Sequence, residues 1–348
     1  EISKDRYRVF MGELSSRANI STASTKPQSG HMQTDINRDG SHHVLNLRVE
    51  MVPTMYGQDA VLRLFNFDES LLNLDLLGIT RSERAAISEV ISHPRGLVLM
   101  VGPTGSGKST TLYSILNALN TTERKIITLE DPIEYGINGI SQIPIDTNDG
   151  GSFAEGLRSV LRLDPDVVMV GEIRDADTAK TAIQASITGH LVLSSFHANT
   201  TAAAFARMID LIGVNPIFSS SVRLLIAQRL VRKLDNNKQP YKADATTTKY
   251  IKDVLYNVRT DYNLDDITLY KPVPSDVSPF GYSGRIAIME QMVVTDPIQA
   301  FLRGDITTLN TKAIENTARN NGMLTLEQKG VLAALRGDTN IEEIGRVI

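Results

Sequence analysis

The chain has 348 residues, and its 36 Lys and Arg stand against 40 Asp and Glu, which gives a formal net charge of −4. At about 100 to 200 residues per domain this length predicts two domains, or three small ones, and the net charge excludes a global positive field for nucleic acid or anionic lipid. Because Cys is absent, disulfides, thiol nucleophiles, iron–sulfur clusters and Cys-ligated zinc are excluded as well.

The longest clear apolar run covers only residues 97–101, far fewer than the roughly 18 residues that a membrane span needs. The chain opens with Glu1 rather than Met, and no charged leader followed by an apolar stretch is present there. We therefore expect a cytoplasmic protein from which residues upstream of residue 1 are missing.

The first part of the chain predicts loops followed by two strands. Residues 19–40 are rich in Ser, Thr, Asn and Gly and show no periodicity, which is typical of loops. Apolar and polar residues then alternate over 44–51, as in a strand with one wet face, so Arg48 is expected to point away from the core. The same alternation over 60–64 turns Arg63 outward.

Between residues 96 and 230, short apolar runs alternate with amphipathic helical stretches, which is typical of a buried parallel sheet with crossover helices. The predicted strands are residues 97–101, 126–129, 167–170 and 191–194. The predicted helices cover Lys108 to Leu119, Ser152 to Leu163, Asp175 or Asp177 to Gly189, and Thr200 to about Gly213. Beyond Leu234 the sequence is polar and irregular through Tyr282, and helical segments follow.

These patterns predict an α/β fold and a division of the chain into four segments. The four segments are an N-terminal α+β domain at residues 1–67, a linker at 68–77, an α/β core at 78–230 and a C-terminal subdomain at 231–348.

The core begins with a phosphate-binding loop. Residues 102–109 match G-x-x-x-x-G-K-[ST] directly after an apolar strand and before a helix. Gly105 and Gly107 let backbone N–H groups wrap a β-phosphate, Lys108 reaches the β and γ oxygens, and Ser109 can bind Mg²⁺. An ordinary Gly-rich turn requires neither the Lys-Ser pair nor this spacing. The predicted nucleotide-binding residues are Gly102, Pro103, Thr104, Gly105, Ser106, Gly107, Lys108, Ser109 and Thr110.

Such a loop needs acidic groups that hold Mg²⁺ and orient the attacking water. Glu172 follows a predicted strand as in a Walker B motif, but Gly171 stands where the usual Asp lies, so we expect Glu172 to serve the metal. Three more carboxylates follow another strand, at the edge where open α/β sheets bind ligands: Glu130, Asp131 and Glu134. One of them could position water, although each alone could also be a solvated acid or a helix cap.

Two histidines flank the strand at residues 191–194. A lone His is more often structural than functional, and a metal pair at His190 and His197 is disfavoured because no third ligand lies nearby in sequence. His197 lies at the carboxyl end of its strand, nearer the expected nucleotide. We interpret it as a γ-phosphate sensor, with a hydrogen bond that pins the loop as the alternative.

Together these elements resemble the type II and type IV secretion ATPases, the hexameric motors of pilus and secretion machines. The similar segments are 102–110 for their Walker A, 127–135 for their Asp box, 164–175 for their atypical Walker B and 188–200 for their His box. Residues 47–64, 281–285 and 322–326 also resemble the pilus-assembly and type II branch. The resemblance therefore runs from about residue 44 to the end of the chain.

The resemblance implies a P-loop RecA-like core between a small N-terminal domain and a mainly helical C-terminal subdomain. It also implies a role for several residues: Lys108 and Ser109 bind phosphate and Mg²⁺, Glu134 is the base that orients water, Glu172 lies near the metal, His197 senses γ-phosphate, and Arg48 and Arg63 close onto the nucleotide. Without the resemblance, Arg48 and Arg63 would be interpreted as solvated strand residues.

One departure from the family concerns zinc. Many members of this branch carry two Cys-x-x-Cys pairs that hold zinc. At the corresponding positions this chain has Asp235, Lys238, Pro274 and Val277. A tetracysteine zinc site is therefore impossible, and we expect no zinc; the C-terminal subdomain must either pack on the core or stay mobile without the stabilisation that a structural zinc supplies.

The predicted function is hydrolysis of Mg²⁺-ATP by a homohexamer that drives pilin assembly through a platform protein of the cytoplasmic membrane. The resemblance implies peripheral association with that membrane through partners, and only indirect action on pilins or pseudopilins. A type II secretion motor is the alternative within the family. A nucleic-acid translocating motor shares the same core, but the net charge argues against it. A non-hydrolysing scaffold is disfavoured by Glu134 and Glu172.

Overall fold

The computed structural model describes residues 2–21, 24–38, 41–65, 72–147, 150–306 and 309–348. The chain divides into two compact units, Glu1–Glu69 and Ser70–Ile348. The predicted end of the N-terminal domain, at residue 67, lies outside the described residues. No helix among the described residues is long and apolar enough to cross a membrane.

The first unit contains a helix and a three-stranded antiparallel sheet in the order β1-β2-β3. Its elements are α1 (Lys4–Arg17), β1 (Gln28–Arg38), β2 (Ser41–Thr54) and β3 (Gly57–Phe65). Met11 and Leu14 of α1 pack with Val49 and Met51 of β2 in a small apolar core. Because these β2 residues are buried at every second position, Arg48 lies on the opposite side of the strand, as the alternation predicts.

The prediction of loops throughout residues 19–40 is wrong for β1, which pairs with β2 from Gln28↔Met51 to Arg38↔Ser41. Backbone hydrogen bonds to β2 form this strand without a regular apolar alternation. Gly30 shows why a glycine stands in it, because a Cβ there would lie 2.1 Å from the carbonyl oxygen of Ala18. The composition of residues 19–40, rich in Ser, Thr, Asn and Gly, therefore gave no indication of this strand.

The second unit is built on a seven-stranded sheet in the order β12-β9-β4-β8-β7-β5-β6, counted over the described residues. The strands are β4 (Gly96–Val101), β5 (Ile126–Glu130), β6 (Ser141–Pro144), β7 (Val167–Val170), β8 (Leu191–Phe196), β9 (Val222–Leu234) and β12 (Tyr282–Val293). All neighbouring pairs are parallel except β9 and β12. The predicted parallel α/β core is thereby confirmed, and β12 adds an antiparallel edge.

The helices of this unit include the four that were predicted. They are α2 (Arg81–Ile91), α3 (Lys108–Leu119), α4 (Phe153–Val160), α5 (Ala176–Ile187), α6 (Thr201–Ile212), α7 (Ala245–Val254), α8 (Asp296–Arg303), α9 (Thr311–Asn320), α10 (Leu326–Arg336) and α11 (Ile341–Val347). Asp175, rather than Asp177, caps α5, and Thr200 caps α6 through its hydroxyl. Helix α4 ends at Val160 and continues as a short 3₁₀ turn.

The segment from residue 235 to 281 was predicted to be irregular, and this prediction is wrong. It forms a two-stranded antiparallel sheet of β10 (Lys238–Lys242) and β11 (Thr268–Pro272), and helix α7 lies between these strands in the chain. Ile251, Leu255 and Leu269 form an apolar cluster with Val331 and Leu335 of α10. This packing holds the segment against a neighbouring helix. The finer boundary predicted near residue 230 stays a prediction, since β9 crosses that residue.

A buried carboxylate ties helix α11 to β9. Glu343 accepts hydrogen bonds from the backbone N–H and the guanidinium of Arg232, and from the guanidinium of Arg346. Burial of the Glu343 carboxyl acts to raise its pKa, but the bonds from both arginines outweigh burial and lower the pKa to about 2. Arg232 also stacks on Tyr282 of β12, with its guanidinium carbon 4.1 Å from the ring centre.

We predict that Glu343→Gln lowers the free energy of unfolding by about 2 to 4 kcal/mol near neutral pH, because the folded protein then loses a carboxylate with a strongly lowered pKa. A lowered pKa stabilises the fold above the carboxyl's ordinary value of 4.5, and this contribution disappears as pH falls towards about 2. Urea unfolding at several pH values should therefore show the two proteins converging in acid. Glu342→Gln, at the exposed neighbouring position, is the control; equal loss in both variants contradicts the prediction.

Candidate active site

The phosphate loop joins β4 to α3 and is shaped by glycine. Gly102 has φ 151° and Gly107, the residue just before α3, has φ 86°, a backbone region that residues with side chains rarely adopt. A Cβ on Gly102 would lie 2.6 Å from Ser106 Oγ, and one on Gly107 would lie 2.7 Å from Gln228 Nε2. The loop therefore closes tightly on itself and on β9, as a cradle for phosphate requires.

Ser106 provides a test of whether this loop fits an anion. Its hydroxyl is buried and has no hydrogen-bond partner among the described residues. A buried hydroxyl without a partner is costly, and a phosphate oxygen is a suitable acceptor for it. Gly105 faces open space, since nothing lies within 4 Å of a Cβ built there. The loop therefore fits phosphate, and the exposed Ser109 follows in the first turn of α3.

The Lys108 ammonium lies inside this loop. It donates hydrogen bonds to the carbonyl oxygens of Gly102 at 2.8 Å and Pro103 at 2.9 Å. Burial lowers the pKa of Lys108, while the charge of Glu172 raises it and that of Arg229 lowers it. A phosphate that replaced the two carbonyls would give the ammonium a charged partner.

Glu172 and His197 come together beside Lys108. The distance from His197 Nε2 to Glu172 Oε2 is 3.4 Å, and the other Glu172 oxygen forms an ion pair with Arg174. Only 13% of the Glu172 side chain is exposed, against 50% for His197. The bond to Glu172 raises the pKa of Arg174. Sequence reasoning missed Arg174, whose signal was its position two residues after the Walker B glutamate.

Glu130 is turned into the protein rather than into the open site. It accepts hydrogen bonds from Tyr113 and Thr128 and, at 3.0 Å, from Gln142 Nε2. Only 4% of Glu130 is exposed, and burial together with the Glu130 charge raises the pKa of Tyr113. Asp131 accepts a bond from the Thr147 hydroxyl. Glu130 is thus a packed structural carboxylate.

The loop after β5 places Glu134 next to α3. Its backbone N–H donates to the Tyr113 hydroxyl at 3.3 Å, and the residue is half-buried. The same tyrosine therefore links Glu130 in the strand to Glu134 in the loop. That Glu134 acts as the base stays a prediction.

The two histidines of the sequence motif do not share a site. His190 precedes β8, where its Nδ1 lies 3.0 Å from the carbonyl oxygen of Ala185 at the end of α5. His197 follows the last residue of that six-residue strand. At about 3.3 Å per residue the strand separates the two histidines by about 20 Å. His190 therefore contacts the end of α5 and lies away from the groups around His197.

Strand β9 brings two residues to the loop that sequence reasoning did not predict. Gln228 Nε2 donates to the carbonyl oxygen of Ser106 at 2.9 Å, and Arg229 donates to the carbonyl oxygen of Asn199 at 3.0 Å. The available signal was a Gln-Arg pair that directly follows the apolar run at residues 224–227.

The two arginines predicted in the first unit lie opposite each other in its sheet, where Arg48 on β2 pairs in register with Arg63 on β3. Arg48 Nε bonds to Glu50 at 2.7 Å and contacts Ser29 Oγ at 3.3 Å. Arg63 is exposed. Both arginines therefore stand on one face of the sheet.

Metal ligands are sparse. Within the described ranges no group of three or more His, Asp and Glu side chains is arranged to hold a metal ion. The Ser109 hydroxyl and the Glu172 carboxylate are oxygen donors of the kind that Mg²⁺ prefers. Mg²⁺ in nucleotide sites commonly takes few protein ligands and completes its shell with phosphate and water. These residues fit that pattern.

Comparison with known proteins places these features in a family. The model of a family described as "Type II/IV secretion system protein" matches residues 9–346. Type II secretion system protein E of Xanthomonas campestris is 41% identical over 304 residues, 87% of this chain and 52% of that protein. Type IV pilus assembly ATPase PilB of Pseudomonas aeruginosa is 37% identical over 325 residues, 92% of this chain and 55% of that protein. The chain thus spans about half the length of these relatives.

Solved structures show the same fold. Legionella pneumophila ATPase DotB has a TM-score of 0.65 at 22% identity, over 96% of this chain and 81% of DotB. The pilus retraction motor PilT, solved with bound ADP, has a TM-score of 0.61 at 25% identity, over 91% of this chain and 77% of PilT. The α/β architecture is therefore shared with a solved ATPase and with a solved pilus motor.

The buried position of Glu130 leads to a prediction about stability. We expect Glu130→Gln to destabilise the protein by about 1 to 3 kcal/mol, because buried donors lose a charged acceptor. Thermal unfolding of Glu155→Gln, which changes an exposed glutamate on α4, is the control. A Glu130→Gln protein as stable as this control would show that Glu130 is not a structural carboxylate.

Proposed function

Since the chain belongs to the type II/IV secretion system protein family, we propose that it hydrolyses Mg²⁺-ATP at the phosphate loop. The observation that carries the proposal is the grouping of three features at one edge of the sheet: the Lys108 ammonium, the Glu172–His197 pair, and the buried hydroxyl of Ser106, for which the described part of the chain offers no hydrogen-bond partner. A cation, backbone N–H groups and a carboxylate are the parts that phosphoryl transfer to water requires.

In this proposal each side chain acts in turn on the bound nucleotide. The Lys108 ammonium leaves the carbonyl oxygens of Gly102 and Pro103 and balances charge on the β and γ oxygens. Ser109 and Glu172 would hold Mg²⁺, and the bound ion would supply positive charge against the charge that develops on the phosphates. Glu134 orients water for attack on the γ-phosphorus and accepts its proton.

His197 and the arginines complete the proposed mechanism. His197 reports the γ-phosphate, because its ring nitrogen already lies 3.4 Å from Glu172 and a new phosphate oxygen would compete for that contact. Arg48 and Arg63 supply positive charge to the reaction. Planar guanidinium groups suit this task, since each can meet two phosphate oxygens at once.

The mechanical output that we propose is assembly of pilin-like subunits by a homohexamer that acts on a membrane platform protein from the cytoplasm. Relatives named for type II secretion and for type IV pilus assembly match at similar identity, 41% and 37%. We favour pilus assembly, with type II secretion as the alternative. The test adds the cytoplasmic part of a platform protein from a pilus machine or from a type II secretion machine. Stimulation of ATP hydrolysis by only one of the two distinguishes the two outputs.

The central prediction separates binding from turnover. We expect Lys108→Ala to abolish nucleotide binding, because the charge that holds the phosphates is lost. Glu134→Ala should retain binding and lose most turnover, because its carboxylate acts on water. Equilibrium binding of a fluorescent ATP analogue and release of phosphate provide the two measurements. Weak binding by Glu134→Ala with normal binding by Lys108→Ala contradicts the division of roles.

A second prediction concerns Arg48 and Arg63. We expect alanine at either position to slow single-turnover hydrolysis by at least about tenfold, because loss of an arginine that balances γ-phosphoryl charge is costly to turnover. Lysine should rescue only part of the rate, since it lacks the planar fork. Arg17→Ala, which removes an exposed arginine of the same unit, is the control. Wild-type rates in both alanine variants would leave Arg48 and Arg63 as solvated strand residues.

A further inference from the structure

Gln228 is a buried polar side chain whose two ends meet two parts of the phosphate site. It lies on β9, the strand beside β4, and is 1% exposed. Its Nε2 donates to the carbonyl oxygen of Ser106 at 2.9 Å, and its Oε1 accepts from the Thr111 hydroxyl at 2.8 Å. One amide therefore fastens the loop and the first turns of helix α3 to the same point on the sheet.

The loop is also fitted around Gln228 sterically. A Cβ on Gly107 would lie 2.7 Å from Gln228 Nε2, and a Cβ on Gly102 would lie 2.8 Å from the Gln228 carbonyl oxygen. Two glycines of the phosphate motif thus give room to the residue on β9. The bonds and the close approach together restrict the loop to the conformation seen here.

Arg229 extends the link to the loop that carries His197. Its guanidinium donates to the carbonyl oxygen of Gln228 at 2.9 Å and to that of Asn199 at 3.0 Å. Asn199 is two residues beyond His197 in the chain. Burial lowers the pKa of Arg229, and the negative charge of Glu290 acts against that effect.

We propose that Gln228 and Arg229 are positioning residues of the nucleotide site. Gln228 holds the phosphate loop in its binding conformation, and Arg229 holds the His197 loop at a fixed distance from it. The inference rests on the proposed nucleotide hydrolysis and adds to it two residues outside the sequence motifs. In this role neither side chain contacts the reacting atoms.

The proposal predicts two different kinetic effects. A loop released from Gln228 spends less time in its binding conformation. The apparent nucleotide affinity then falls in proportion to the fraction of molecules whose loop has that conformation. Loss of Arg229 leaves the phosphate loop anchored but frees the His197 loop, which reduces turnover more than affinity. A merely structural role would lower thermal stability without this split.

The test compares Gln228→Met with Gln328→Met, in the full chain. Gln328 is also buried, and its amide likewise accepts one bond and donates one, from Thr325 N–H and to the Val254 carbonyl oxygen. We expect the dissociation constant of a fluorescent ATP analogue, measured well below the melting temperature, to rise by at least about fivefold in Gln228→Met. Gln328→Met should bind as wild type even if both variants melt at a similar lower temperature.

Thr111→Val supplies a coupling measurement. We expect it to weaken binding alone, and to add little when combined with Gln228→Met, because both changes remove the same bond. Fully additive effects would mean that Gln228 and Thr111 act independently, which overturns the bridging role. Equal affinity of Gln228→Met and wild type overturns it as well.

The second arm compares Arg229→Met with Arg229→Lys. We expect the methionine variant to lose at least about fivefold in single-turnover rate with near-normal affinity. Lysine should restore the rate only in part, because its ammonium is a point charge on a flexible stem and lacks the planar fork of N–H groups with which Arg229 spans the two carbonyl oxygens. A loss of affinity as large as that of Lys108→Ala would show that Arg229 binds phosphate itself and overturn its positioning role. If wild type binds no nucleotide, the proposed function fails; if wild type is active and these variants match it, only the present inference fails.

Discussion

The site depends on the register of the buried parallel strands. Backbone hydrogen bonds pair Val101 of β4 with Phe196 of β8 on one side and with Ala227 of β9 on the other. Because parallel strands in register end at the same edge, the next residues of each strand emerge side by side: the phosphate loop, His197 and Gln228. A similar pairing of β7 with β8 brings Glu172 to that edge. The side chains of four segments that are distant in sequence are therefore brought together by three strand pairings of one sheet.

Electrostatics at this edge is balanced between partly buried groups of opposite charge. Burial disfavours the charged form of Lys108, and the nearby Glu172 carboxylate opposes that effect. Arg174 satisfies the same carboxylate from the other side. Before phosphate binds, the Lys108 ammonium is hydrogen-bonded to neutral backbone carbonyl oxygens and not to a carboxylate. Such an arrangement favours exchange of the lysine from carbonyls to nucleotide at little reorganisation cost.

Local sequence patterns predicted the parallel core well and the site only in part. The four apolar runs and the capping residues specified strands and helices, because burial and capping are local properties. Strand β1 was not predicted, since its backbone pairing with β2 requires no apolar alternation. Glu130 was indistinguishable from Glu134 in sequence, because only packing shows which carboxylate meets Tyr113 and Gln142. The role of Gln228 could not be predicted for the same reason, because its hydrogen-bond partners lie more than 100 residues away in sequence.

The most direct measurement is a crystal structure of the chain with Mg²⁺ and a non-hydrolysable ATP analogue. We predict that Lys108 Nζ moves from the Gly102 and Pro103 carbonyl oxygens to the β and γ phosphates, that Ser106 Oγ donates to a phosphate oxygen, and that the Gln228 bond to Ser106 persists. A nucleotide bound elsewhere, with Lys108 still on its two carbonyls, would contradict it.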